Sequence, residues 1–404
     1  MDTVNKFHTA GAKQLRLLHV NIEGGNMKKS IFILSIFLCA SLVSACNQAG
    51  QKESDLSGNG TENIHKVAAN SAINEDEIVL SLDENTQVNA EVSIPESLQN
   101  MKMNLVKAHR PTMKEEDVKK LFATEINVNK KVMDKGYKSR ELGEYDIALL
   151  YGKQGEFMEV SPTDIYFHTP DYDFYLNCLF TDPAIEGYNL SRFSLTKELP
   201  FASRENVFQV IKNYFDMIGV SISDDYEAYS LNHKKLQKEE KPMDADGKIL
   251  EEDKKESWTK KDDAYYFIFH QEVDGVPIRQ VQYGDGFQGT GIEQTELMAI
   301  YGARGMIAFR EYWGYVLEKT TEGKEIISLD RALESLQMKY DMLLTEDSTL
   351  FDEIALELMP VFIKDNEYEI HPIWSFRGQI QVEGWQSSDI EILFDGFNGK
   401  EITS

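Results

Sequence analysis

Residues that could do chemistry are present in this sequence, but most of their spacings lead away from a catalytic centre. Gly284-Asp285-Gly286-Phe287-Gln288-Gly289 has the G-x-G-x-x-G order of a dinucleotide loop. Such a loop needs its third glycine to open a long helix inside a βαβ unit. Here Thr290-Gly291 follows at once, and Tyr301-Gly302-Ala303-Arg304-Gly305 would break any helix soon after. A glycine-rich hairpin or bulge is therefore expected. Asp244-Ala245-Asp246-Gly247, with Ile249 and Asp253, fits part of a calcium loop, but Pro242 stands where the first ligand should be and has no side-chain oxygen. A turn in an acidic insert is the expectation there. His65, His109, His168, His233, His270 and His371 are scattered without metal-ligand spacing. There is no H-E-x-x-H, no G-x-S-x-G and no Ser-x-x-Lys with supporting motifs. The expectation is that the chain is not an enzyme, with no catalytic residue, no cofactor and no metal ligand.

The cysteine whose surroundings do imply chemistry is Cys46. Lys28 and Lys29 precede an apolar run from Ile31 to Ala45, which ends in Val43-Ser44-Ala45-Cys46. A basic patch, a short apolar core and small residues make a secretory signal. The fifteen residues of the run are fewer than the roughly 20 that a membrane span needs. Val43 to Cys46 resembles the lipobox of bacterial lipoproteins. That resemblance implies a signal peptide over 27–45, cleavage before Cys46, and lipidation of its thiol by diacylglycerol, with palmitate among the acyl chains. An ordinary signal peptide that happens to hold a cysteine is the plainer alternative. Met27-Lys28-Lys29 is how such signals begin, so residues 1–26 read as an over-extended start. Residues 46–76 are rich in Asn, Gln, Gly, Ser, Glu and Lys, the composition of a flexible tether. The expected location is the extracytoplasmic face of the cell membrane, held there by lipid on Cys46.

Charge narrows the partners. Residues 1–45 hold five of the 42 basic and two of the 68 acidic side chains, so the remainder carries 37 and 66, a net charge of −29. Nucleic-acid affinity is driven by Lys and Arg on phosphates, so no nucleic acid is expected. An acidic body is also repelled by anionic lipids, leaving the lipid to supply the membrane contact. Cys178 lies in the apolar run Tyr175-Leu176-Asn177-Cys178-Leu179-Phe180 and is read as a small core residue rather than a reactive one.

Short strand signals dominate the elements that would position any site. Gln87–Ile94, Tyr145–Tyr151, Glu156–Val160, Asp164–His168 and Tyr172–Phe180 are rich in alternating, aromatic or branched residues, as in an antiparallel meander. Thr112–Ala123 reads as a helix, with Thr112 as its cap and Val118, Leu121 and Phe122 on one face. The aromatics Tyr265, Phe267 and Phe269 alternate with Tyr266, Ile268 and His270, which suggests a strand covered on both faces. A repeat then stands out. A helix opening at Ser203 and running to Ile218 aligns without a gap on one opening at Ser328 and running to Leu344. Phe208 falls on Leu333, Ile211 on Leu336, Phe215 on Tyr340, and Asp216-Met217 on Asp341-Met342. Each helix has a serine cap, an acid in its first turn and a single apolar stripe, and strands follow each.

The expected fold class is therefore α+β: tandem small modules, each a helix packed on a curled antiparallel sheet. The expected boundaries are a mainly β domain over 77–200, a first module over 201–322 and a second over 323–404. A charged insert over 233–261 reads as a solvated loop between two strands. Val273-Asp274-Gly275-Val276-Pro277-Ile278, His371-Pro372-Ile373-Trp374-Ser375-Phe376 and Phe394-Asp395-Gly396-Phe397-Asn398-Gly399-Lys400 resemble the strands and closing hairpin of PepSY-like or YycI-like modules. The order after the lipobox is similar to that of an uncharacterised group of clostridial lipoproteins. Those modules bind proteins, so the resemblance implies a lipid-anchored binding or regulatory protein whose partner is another cell-envelope protein. It offers no catalytic residue to carry over. The rival expectation is an extracytoplasmic ligand-binding receptor or hydrolase with a dispersed site.

Overall fold

A computed structural model describes residues 72–74, 77–139, 142–179, 189–243, 248–279, 282–283, 293–294, 296–343, 347–382, 384–385 and 387–402. The signal segment, Cys46, the glycine run Gly284–Gly289 and the acidic turn Asp244–Gly247 lie outside the described residues. The chain divides into two compact units, Met1–Ala72 and Ile73–Ser404, and apart from Ala72 the described residues all belong to the second.

The first part of the chain runs β1 (Ala72–Asn74), β2 (Glu77–Ser81), β3 (Thr86–Ser93), β4 (Lys102–His109), α1 (Glu115–Leu121), β5 (Val128–Ser139), β6 (Gly143–Gly152), β7 (Phe157–Val160) and β8 (Ile165–His168). Next come α2 (Tyr172–Leu179), α3 (Arg204–Met217), β9 (Glu227–Leu231), α4 (His233–Glu239), β10 (Ala264–Phe269), β11 (Glu272–Val273), β12 (Val276–Pro277), β13 (Gln282–Tyr283) and β14 (Glu293–Gln294). The last part is β15 (Glu296–Gly302), β16 (Gly305–Tyr312), β17 (Val316–Glu325), α5 (Leu329–Met342), β18 (Ser348–Lys364), β19 (Glu367–Gln381) and β20 (Ser388–Asp395). The class is α+β, mostly strand, with one sheet curled into a half-barrel.

Two eight-stranded sheets carry the fold. One has the order β1-β2-β3-β18-β19-β4-β17, with β20 also pairing β19; the other has the order β5-β6-β7-β8-β16-β15-β10-β9. We call them sheet A and sheet B. The meander expected around residues 145–168 is present as β6, β7 and β8, paired antiparallel in sequence. The boundaries expected at 200 and 322 do not coincide with the sheets. Sheet A takes β1–β4 from before residue 200 and β17–β20 from the last 90 or so residues, and β18 runs parallel to β3. That pairing also makes sheet A mixed rather than purely antiparallel.

The two aligned helices behave as their stripes require. Ser203 and Ser328 each cap their helix by accepting a backbone N–H, from Asn206 and Arg331 at 3.3 Å. Phe208, Ile211 and Phe215 of α3 lie in the core on one face of sheet B, with Val118 and Phe122 at α1. Leu333, Leu336 and Tyr340 of α5 lie in the separate core on sheet A.

Four local expectations are corrected. Tyr172–Leu179 is a helix rather than a strand: Tyr172, Tyr175, Cys178 and Leu179 are its buried residues, a spacing of three and four that belongs to a helix face. Its aromatic content imitated a strand. Residue Lys114 stands at the N-cap of α1 with no side-chain cap bond, so Thr112 does not cap it. The charged insert does fall between two strands, β9 and β10, but its described part is not a solvated loop. Leu236 and Trp258 are buried with Tyr172, Tyr175 and Cys178 in a third core on the other face of sheet B. Finally, a short strand, Ala72–Asn74, lies inside the stretch expected to be tether.

Two turns follow from φ > 0 residues. Asp274 and Gly275 both take positive φ (52° and 78°) and close the β11–β12 hairpin, as a two-residue turn demands. Gly399 does so near the C-terminus (71°), where the Gly399 N–H donates to the Asp395 carbonyl at 2.7 Å. The chain turns at Asn398-Gly399 as expected, but the return is the isolated bridge Phe394 to Glu401 rather than a second strand.

Candidate functional site

Sheet B has two faces, because alternate residues of a strand point to opposite sides. One face is closed by α1 and α3. The other carries Tyr151, Phe157 and Glu159, Tyr166 and His168, Arg310 and Tyr312, and Glu296. Strand register places them together: Tyr151 opposite Phe157, Phe157 opposite His168, Glu159 opposite Tyr166, Tyr166 opposite Arg310, and Tyr312 opposite Glu296. Helices α2 and α4 cover only part of this face, burying Tyr266, Met298, Ile300 and Ala308. The rest stays half-buried, and Tyr172 of α2 marks the border, its ring 5.6 Å from that of His168.

The open half is built of rings and charges. Tyr151, Phe157, Tyr166 and His168 form a continuous ring cluster, with neighbouring centroids 5.2 to 6.4 Å apart. Arg310 lies 5.4 Å from the ring centroids of both Tyr166 and Tyr312 and bonds Glu296 at 2.7 Å. Burial pushes the Glu296 carboxyl up, opposed by Arg310. It also pushes Glu159 up, with Asp164 and Asp134 adding to the shift and Arg310 opposing it. Among the described residues the Glu159 carboxylate makes no hydrogen bond and no ion pair. Tyr and Arg on a partly dry face are the residue types that dominate protein recognition.

Other charged clusters are paired within themselves, although Arg110 Nε and Glu311 Oε2 are buried without a hydrogen-bond partner among the described residues. Arg110 is buried, bonds Asp164 and lies 4.1 Å over the Trp313 ring. Asp164 also accepts from Ser161 Oγ (2.7 Å), Thr163 Oγ1 (3.0 Å) and the Trp313 N–H (3.2 Å). Glu311 is fully buried beside them; desolvation pushes its carboxyl well above the usual range, and its Oε1 accepts the Gly314 N–H at 2.9 Å. This knot ties two of the points where the chain passes between the sheets, after β4 and before β17. On sheet A, Arg377 bonds Glu353, Glu357 and Glu391, and Arg279 bonds Glu357 and Glu391. Despite burial, these two guanidiniums hold Glu391 down to about 2.

Among the histidines, His371 has Nδ1 2.8 Å from Asp395 Oδ2 and Nε2 3.2 Å from Glu369 Oε2. Both ring nitrogens face carboxylates, so neither is left to take a proton from a substrate. His233 lies 2.6 Å from Asp263, and His168 belongs to the open face. Among the described residues no three His, Cys, Asp or Glu side chains are grouped to hold a metal ion. Cys178 is buried and donates weakly to the Phe174 and Leu236 carbonyls; burial pushes its thiol far above the usual range, as expected of an inert core cysteine. β10 is covered on both faces as its alternating aromatics suggest. The open face is not evident from the sequence, although Phe157-x-Glu159 and Arg310-x-Tyr312 put charges on the same side of a strand as large rings.

Among the described residues no helix is long and apolar enough to cross a membrane. No family model matches the chain, and no curated protein matches it. In fold the chain is similar to an uncharacterised protein of known crystal structure from Eubacterium rectale, with a TM-score of 0.50 and 18% identity over 81% of this chain and 94% of that one.

Proposed function

We propose that this chain is a lipid-anchored binding protein on the extracytoplasmic face of the cell membrane, acting by engaging another cell-envelope protein. The observation that carries the binding role is the open half of sheet B's second face. Its tyrosines, Arg310 and two carboxylates are held by a sheet whose other side is a closed core, so the surface is rigid before a partner arrives. Lys28, Lys29, the apolar run to Ala45 and Cys46 support the anchor. The matching caps and stripes of α3 and α5 support reading them as two related helix-on-sheet modules of PepSY-like or YycI-like type, with their sheets interlaced.

Two measurements test this. Cys46→Ser should abolish lipid labelling and release the protein or leave it uncleaved; a variant still labelled and membrane-bound sinks the anchor. A photo-crosslinking residue at Tyr151 in the native host should trap one envelope protein, and the same group at exposed Met342 should not. Equal capture at both positions would remove the assignment of the face.

A further inference from the structure

The open face has one valence left over. Glu159 stands between Leu149 and Tyr166 across three strands, with Phe157 two residues before it on the same side. Among the described residues nothing bonds its carboxylate. Arg310 acts on it through space but is already bound to Glu296. Lys130, another cation at this face, lies 5.0 Å over the ring of Tyr151. Asp134 and Asp164 add negative potential at Glu159. The half-buried carboxylate is therefore partly stripped of water and repelled by its acidic neighbours, with a ring beside it on its own strand and another across the ladder.

We infer, on the footing of the binding role above, that this face receives a basic side chain of a protein partner, its ammonium or guanidinium set against Glu159 and its stem or plane against Phe157 and Tyr166. A cation over a ring gains from the ring's quadrupole, and a charged hydrogen bond to a carboxylate is stronger than a neutral one. The other occupants fare worse. An apolar side chain would finish drying Glu159 and leave it unpaired, which is costly. An acidic one would meet Glu159 and Glu296 with Arg310 already engaged. The net charge of −26 acts in the same direction, drawing cationic surfaces toward the protein.

The test uses the full-length chain and three tripeptides of one length, acetyl-Gly-Lys-Gly-amide, acetyl-Gly-Arg-Gly-amide and acetyl-Gly-norleucine-Gly-amide, followed by NMR titration. The Lys and Arg peptides should bind with Kd of about 1–10 mM, the range of a single weak contact. Norleucine should show no saturation at about 20 mM, near the practical limit of such affinities. Glu159→Gln should weaken the basic peptides by about tenfold, a loss of one charged contact. Tyr166→Leu, a second variant should Glu159→Gln fail to fold, should weaken them as well. Exposed Glu144→Gln should change nothing. Norleucine binding as well as Lys, equal affinity in Glu159→Gln, or no saturation with either basic peptide overturns the inference. Trapping of an envelope protein through Tyr151 would still stand in that case, so the two readings fail separately.

Discussion

Two arginines make the same contacts to opposite effect. Arg110 sits over one aromatic ring and Arg310 over two, and each bonds one carboxylate. Around Arg110 the partner Asp164 is saturated by two hydroxyls and a backbone N–H, and the Arg110 backbone is itself clamped by the Asn366 amide at 3.0 Å on both sides. Around Arg310 the neighbouring Glu159 has no bond to its carboxylate among the described residues. The residue types do not separate a structural ion pair from a binding surface, nor does a count of unfilled positions, since Arg110 Nε and Glu311 Oε2 are themselves buried without a partner among the described residues; access does, because Arg110 is buried whereas Arg310 and Glu159 are half-buried.

The comparison breaks if Arg110 proves dispensable. Arg110→Ala leaves Asp164 and buried Glu311 without their cation, and should cost about 3–5 kcal/mol in urea denaturation, the scale for breaking a buried pair. Close behind is the core test of the helix on sheet A. Leu336→Ala should cost about 2–5 kcal/mol, while half-exposed Glu334→Ala should cost no more than about 0.5 kcal/mol; similar small losses from both would mean α5 does not bury its stripe. Arg310→Ala, whose pair with Glu296 is part-buried with the two side chains 28% and 29% exposed, should cost about 1–2 kcal/mol, between the exposed and the buried cases. A loss as large as that of Arg110→Ala would mean that the open face is structural after all.

The smallest effect is in pH. Despite burial, Asp395 and Glu369 hold the His371 imidazolium above its ordinary value, while Asp395 is held below its own. The His371 contribution is therefore fully present below its unfolded pKa and fades as pH rises through the folded one. The Asp395 contribution runs the other way, present above its unfolded pKa and lost as pH falls through the folded one. Comparing His371→Asn with the parent by thermal denaturation should show a wider gap near pH 5.5 than near pH 9. A gap independent of pH would mean that the histidine serves only as a packing group.

How legible each part is in the sequence depends on how local its signal is. Ser203 and Ser328 with their stripes can be read directly, since a cap and its first turn lie within four residues. The Asn398-Gly399 turn is equally legible. Helix α2 is not, because Tyr172, Phe174 and Tyr175 favour strands by composition and only their burial shows the helical period. Leu236 and Trp258 are two apolar residues in a charged stretch, and nothing local says that they meet under Tyr175. The partition into sheets is least legible: Thr349 pairs with Thr86 and Val316 with His109, pairings that no local pattern announces. Of the open face the strands can be read but not the exposure, which depends on how far α2 and α4 extend across sheet B.

That long-range pairing has a kinetic side. β3 acquires its parallel neighbour, and β4 its partners in β17 and β19, only after the last hundred or so residues have emerged. Until then the early strands of sheet A present bare edges, and contacts of such wide separation close slowly. A chain exported as proposed, N-terminus first, is thereby kept from completing this sheet prematurely, which suits threading through a narrow channel. The same delay exposes it: a product truncated before β18 would carry β3 and β4 without their partners, a template for pairing with other chains.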